Sequence, residues 1–191
     1  MKTKYFFDTE FIENGKTIDL ISIGMVCEDG RSLYLQNEEC EFRQAGDWVW
    51  RNVFPLLDHF AMQGKRSCQS IQGTLSMSSD PKCYAHKPEN KCPWRQRWGI
   101  RDEVLEFMNV EKYGNPEVWA YYGAYDWVAL CQLFGSMIEL PKGFPMCHMD
   151  VKQLCNSVGN PKLPAHVIPE HHALNDARWT ADAYKFLSGI K

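Results

Sequence analysis

The chain is expected to fold as an α/β domain, a mixed central sheet of about five strands flanked by helices. Three observations predict this. Apolar, β-branched stretches with near-alternation crowd the first part of the chain, up to residue 35. Helical spacing takes over from residue 47. One further strand-like run, Val118-Trp119-Ala120-Tyr121-Tyr122, lies between helical segments. An apolar share of 45% over 191 residues suffices for one buried core, so a single domain over 1–191 is the expected division.

Residues 4–8 read as the first strand, through Tyr5, Phe6 and Phe7. Asn14-Gly15 marks a turn, and 18–27, with its β-branched near-alternation, reads as the second strand. Glu28-Asp29-Gly30 predicts a hairpin turn into a third strand over 32–35, so the chain opens as an antiparallel meander. Trp48, Val49, Val53, Leu56, Leu57 and Phe60 recur at helical spacing over 47–60, where Pro55 predicts a kink or an early stop. Periodicity then disappears over 61–93, which reads as a loop-like insertion, long for a compact domain. Helices are predicted over 99–109, over 124–134 with Gly135 as its stop, near 150–157 and over 173–188. A short extended piece is predicted around 146–149, and prolines over 161–169 form a connection. This order is compatible with a ribonuclease-H-like fold, among other α/β folds.

The apolar run Tyr5-Phe6-Phe7 ends at Asp8, too short for a secretory segment, and no stretch approaches a membrane span. The expectation is a cytoplasmic protein, bacterial or viral in a bacterial host, with no membrane partner. Eight cysteines without any CxxC pair speak against a disulfide framework; Cys27, Cys131 and Cys155 sit in apolar segments and read as core residues. The net charge of −3 hides an asymmetry. Residues 61–101 carry eight basic residues against Asp80 and Glu89, net +6, which leaves −9 on the remainder. That suits an enzyme with carboxylates for a cation and a separate contact for phosphate; a solvated basic loop is the plainer alternative.

Asp8 and Glu10 sit two apart at the end of an apolar strand, so both point to one face, with Phe6. Two acids placed together repel unless something positive lies between them, and a hard cation with oxygen ligands fills that need. A strand end fraying into solvent is the plainer reading of a bare DxE. Asp126 falls in the first turn of a helix, with Leu130 and Leu133 at inward-facing spacing. The helix dipole explains an acid there, but an inward-facing one calls for a counter-charge. Asp176 borders the face made by Ala173, Ala177, Thr180, Tyr184 and Leu187, and His171 precedes that helix.

Taken in order, Asp8-Thr9-Glu10, Asp126 at a strand-to-helix step and the HxAxxD segment from His171 to Asp176 resemble the three motifs of DEDDh 3′–5′ exonucleases. Asp8-Thr9-Glu10-Phe11-Ile12-Glu13, Ile18 to Gly24, Gly123-Ala124-Tyr125-Asp126 and His-x-Ala-Leu-x-Asp-Ala are similar to the small exoribonucleases of the RNase AS type, over 4–60 and about 95–188. The resemblance implies that Asp8, Glu10, Asp126 and Asp176 hold two Mg²⁺ ions, with Mn²⁺ able to substitute, and that His171 is the general base. It also implies cleavage of single-stranded RNA from the 3′ end and a homodimer. His172 occupies the place where related DEDDy enzymes have tyrosine; the HxAxxD spacing selects His171 instead.

Further candidates carry less. Phe11 and Tyr125 are placed to stack on a base or ribose, with ordinary packing as the alternative. Trp94-Arg95-Gln96-Arg97-Trp98 alternates aromatics and guanidiniums as a single-strand track does; two tryptophans covering the core, with the arginines in water, are the plainer reading. Cys68, Cys83, His86 and Cys92 are candidates for a structural zinc in the insertion, although their spacing matches no standard finger. The competing functions are the same chemistry on DNA, a catalytically silent nucleic-acid-binding domain, and another ribonuclease-H-like nuclease.

Overall fold

A computed structural model describes residues 2–58, 60–61, 65–66, 92–166 and 169–190. The chain opens with three strands, β1 (Lys2–Glu13), β2 (Ile18–Cys27) and β3 (Ser32–Asn37). Helix α1 (Asp47–Asn52) and a 3-10 turn at Phe54–Leu56 follow. Two short pieces, β4 (Phe60–Ala61) and β5 (Lys65–Arg66), pair with each other only. Then come β6 (Trp94–Arg95), α2 (Arg97–Phe107), α3 (Val110–Tyr113), β7 (Asn115–Ala120), α4 (Ala124–Cys131), β8 (Met149–Asp150), α5 (Val151–Ser157) and α6 (Ala173–Ser188).

The central sheet has six strands in the order β6-β3-β2-β1-β7-β8. β1, β2 and β3 form the expected antiparallel meander, while β7 joins β1, β8 joins β7 and β6 joins β3 in parallel. The expected five strands become six because β6 adds a two-residue ladder, Gln36 against Trp94 and Asn37 against Arg95. So short a strand is made by backbone pairing and leaves no periodicity to read. The helix predicted over 47–60 stops at Asn52. Pro55 enters the following 3-10 turn instead, since it lacks the N–H that an α-helix interior uses. The α4 helix is likewise shorter than 124–134, tightening into turns after Cys131.

The two faces of β1 separate two cores. Tyr5 and Phe7 pack with Ile100, Val104 and Leu130 on the α2/α4 side; Phe6 packs with Trp119, Val151, Cys155, Ala183 and Leu187 on the α5/α6 side. Period two therefore sends Asp8 and Glu10 toward α6 and Thr9 toward α4. A third cluster, with Ile12, Ile21, Phe54 and Trp94, closes the far end. Cys27, Cys131 and Cys155 are buried free thiols, as their apolar neighbours predict. Among the described residues no helix is long and apolar enough to cross a membrane. The insertion over 61–93 lies almost wholly outside the described residues. So do Cys68, Cys83 and His86 of the zinc candidate, whose fourth member Cys92 is half-buried beside the third cluster.

Candidate active site

The site lies where β1 outruns its parallel neighbour. The β1–β7 ladder ends at Phe6 against Trp119, and β7 ends at Ala120, but β1 continues to Glu13. Beyond the end of β7 the chain turns into α4, leaving a notch at the carboxyl ends of parallel strands, the usual place for ligands in open α/β sheets. Asp8 and Glu10 reach this notch from β1. A register shift between Glu10 and Phe11 then bends the strand away.

Asp126 enters from the first turn of α4 and is only 7% exposed. Its Oδ1 accepts two hydrogen bonds from Thr9, from the backbone N at 2.9 Å and from the hydroxyl at 2.6 Å. Thr9 points away from Asp8 and Glu10, so it anchors the α4 acid to the strand that carries the other two. The start of α4 is held as well: Gly123 N donates to Asp150 Oδ2 at 3.1 Å, while Asp150 Oδ1 caps α5 through Lys152 N and Gln153 N.

Asp176 arrives on the first turns of α6. This helix can approach because Gly24, paired with Asp8 across the β1–β2 ladder, has no side chain. A Cβ there would lie 2.2 Å from Leu174 N and 2.4 Å from Ala173 O. His171 adopts a left-handed backbone, φ +68, rare for any residue but glycine, and its N–H donates to Asp176 Oδ2 at 2.8 Å. Local strain of this kind costs roughly 1–3 kcal/mol and clusters at functional sites. The turn brings one ligand atom each from Glu10, His171 and Asp176 within 4.8 Å of one another.

The electrostatics follow from the crowding. Burial, reinforced by the charges of Asp126, Glu10 and Asp176, pushes the Asp8 carboxyl well above the usual range. Burial with Asp176 and Asp126 nearby raises Glu10 to about 8. Burial raises Asp126 too, although the Thr9 hydrogen bonds pull the other way. Asp176 is raised by burial against the opposing pull of the His171 N–H. Every shift opposes ionisation, which marks a site short of positive charge. The donors are carboxylate oxygens with one imidazole and no thiolate, a set suited to Mg²⁺ or Mn²⁺.

The two adjacent histidines are placed differently. The ring of His171 stands edge-on to Trp48, 4.8 Å between centroids, beside Glu10 and Asp176. The ring of His172 stacks on Tyr34 at 4.4 Å, and burial lowers its pKa. Phe11 and Tyr125 lie near each other, centroids 5.9 Å apart, and Tyr125 is more than half exposed. Trp94, Arg95 and Arg97 stand elsewhere, at the far edge of the sheet. Trp94 is buried with its indole N–H on Asp58 O, Arg95 pairs with Glu103 and Arg97 donates to Gln132 O. The structure thus gives Trp94 and Arg95 packing and pairing roles in place of an open stacking track. Thr9, Gly24, Asp150 and Trp48 were not singled out from sequence. Only the DxE setting of Thr9 and the approach of a helix to a strand glycine carry any signal of them.

The profile of the 3′–5′ exoribonuclease Rv2179c-like domain matches residues 3–188, a span that contains all five clustered residues. This chain belongs to that family. Two relatives of the Rv2179c-like domain from Mycobacterium tuberculosis, 3′–5′ exoribonuclease Rv2179c of strain ATCC 25618/H37Rv and 3′–5′ exoribonuclease MT2234.1 of strain CDC 1551/Oshkosh, are each 39% identical over 175 residues. Each alignment covers 92% of this chain and 87% of the relative. Membership therefore extends across the notch, and the Rv2179c-like domain has Asp8, Glu10, Asp126, His171 and Asp176 within its matched span.

Proposed function

We propose that this Rv2179c-like protein is a metal-dependent 3′–5′ exoribonuclease of DEDDh chemistry on a ribonuclease-H-like scaffold. It removes nucleoside 5′-monophosphates from the 3′ end of single-stranded RNA. The observation that carries the reading is the convergence of four buried or half-buried acids from β1, α4 and α6 with one histidine at the same notch. A binding module has no use for four acids whose ionisation the fold resists. RNA as substrate is supported by the family and by the names of both relatives.

The residues fit the cations that such chemistry needs. Asp8, Glu10, Asp126 and Asp176 supply hard oxygens, and one ligand atom each of Glu10, His171 and Asp176 lies within 4.8 Å of the others. Two divalent cations held there supply activation of water and stabilisation of the departing 3′ oxygen. His171 accepts the proton of the attacking water on a ring nitrogen, so it acts in the neutral form. Trp48 limits where that ring lies, and the left-handed turn at His171 aims it at the notch. His172, the residue before α6, is stacked on Tyr34 and is given no part in the proton transfer. Phe11 and Tyr125 offer flat surfaces for the terminal base, where a stacked base contributes about 1–3 kcal/mol.

The test uses 5′-labelled single-stranded RNA and the matching DNA, with Mg²⁺, with EDTA, and with Asp126→Ala, His171→Ala and His172→Ala. A descending ladder on RNA alone is expected, abolished by EDTA, Asp126→Ala and His171→Ala and largely retained in His172→Ala. A ladder of equal strength on DNA refutes the RNA preference, and loss in His172→Ala with retention in His171→Ala reverses the assignment of the base.

A further inference from the structure

Beside Asp176 stands a histidine for which the chemistry above has no use. His166 lies on the connection between α5 and α6, and its Nδ1 sits 3.6 Å from Asp176 Oδ1. Both atoms are buried, and neither has a hydrogen-bond partner among the described residues. Two orphaned polar atoms facing each other is a costly arrangement unless one is a donor to the other. A movement of about 0.6–0.7 Å brings them to the usual N–H···O separation of about 2.9–3.0 Å.

The placement of His166 is built by the helix it faces. Trp179, three residues beyond Asp176 on α6, stacks on the imidazole with centroids 4.3 Å apart and planes 19° apart. The Trp179 indole N–H also donates to Pro164 O at 2.9 Å, gripping the same connection two residues earlier. Tyr121 closes edge-on against Trp179 at 4.9 Å. One turn of α6 thus carries both the acid and the clamp that presents a ring nitrogen to its Oδ1. The other oxygen, Oδ2, is engaged by His171 N. A bond from His166 to Oδ1 would leave the carboxylate one orientation.

We propose that His166 is a positioning residue: its Nδ1–H donates to Asp176 Oδ1 and holds that carboxylate toward Glu10 and His171. The assignment rests on the reading of the four acids as a cation cage. Partners behind a metal-binding carboxylate typically change metal affinity about 10–100-fold when removed. His166 touches neither substrate nor water in this role and acts through Asp176 alone.

The experiment is Mn²⁺ binding followed by calorimetry on the full-length protein without RNA. Melting temperature, kcat and KM are measured alongside, for wild type and for His166→Phe, His166→Asn and His166→Ala. Phenylalanine keeps the stack on Trp179 and removes the donor. Asparagine places an amide nitrogen near the Nδ1 position and, like alanine, gives up the stack. Mn²⁺ binding is expected to weaken about 10–100-fold in His166→Phe at near-native melting temperature, with kcat falling more than KM rises. His166→Asn is expected to bind Mn²⁺ more tightly than His166→Ala, a comparison that reads the donor alone even if phenylalanine does not fit. Equal Mn²⁺ binding by wild type and His166→Phe overturns the proposal while leaving the cage intact. Equality of the asparagine and alanine variants also overturns it and assigns His166 to packing. Absence of Mn²⁺ binding by wild type overturns the cage and the proposal together.

Discussion

Gly24→Ala tests how the site is assembled without touching any acid. A methyl group at this position meets Leu174 N at 2.2 Å and the carbonyl of Ala173 at 2.3–2.4 Å, both backbone and so unable to swing aside. Restoring ordinary contact at 3.4 Å requires the start of α6 to retreat by about 1.2 Å from β2. His171 and Asp176 travel with it, while Asp8 and Glu10 stay on β1. Overpacking of this kind costs about 2–3 kcal/mol, or roughly 4–12 °C in melting temperature for a chain of this size. A displacement near 1 Å between catalytic groups costs on the order of 100-fold in rate. The assays are thermal melting and kcat/KM on a single-stranded RNA. Gly46→Ala serves as control, since nothing lies within 4 Å of a Cβ there and its backbone is extended. A Gly24→Ala protein that melts within about 2 °C of wild type and cleaves within about twofold refutes the reasoning, because the close approach then has no bearing on where α6 sits.

Two further outcomes follow from the same geometry. Thr9→Val removes the hydroxyl bond to Asp126 Oδ1 but keeps the backbone one, and is expected to lower activity and cost about 1.5–3 kcal/mol, with Thr9→Ser near wild type; equal activity of the valine and serine variants contradicts this. In EDTA the melting temperature is expected to fall as pH rises from about 4.5 to about 8, the interval over which Glu10 is charged in the unfolded chain and resists charging in the folded one. Because its folded pKa lies above the unfolded value, its contribution to stability is complete below that window and is lost through it. Asp8, Asp126 and Asp176 shift in the same direction. Mg²⁺ is expected to flatten the slope, and a melting temperature that climbs with pH in EDTA contradicts the whole cluster.

Much of the frame is written in short-range patterns. The last helix runs over Ala173–Ser188 as its apolar spacing predicts, and the same-face placement of Asp8 and Glu10 follows from the two-residue period of a strand. Asp126 faces inward with Leu130 and Leu133, as helical spacing requires. What escapes reading is made by contacts between distant segments. Thr9 binds a carboxylate 117 positions away, and its DxE setting does not name that partner. The need for glycine at position 24 comes from a helix some 150 residues later. Trp94 and Arg95 show the reverse: an alternation that resembles a nucleic-acid track locally belongs to a core cluster and an ion pair once β6 has docked on β3.

The five clustered residues are spread from position 8 to position 176, and the last two arrive only with α6. A chain still being synthesised, with α6 not yet released, presents Asp8, Glu10 and Asp126 but lacks Asp176 and His171. On the proposed chemistry such an intermediate is inert. Without α6 over Gly24, the face of β1 that carries Asp8 and Glu10 lacks its cover. On the proposed chemistry, the docking of α6 is what completes the cation cage.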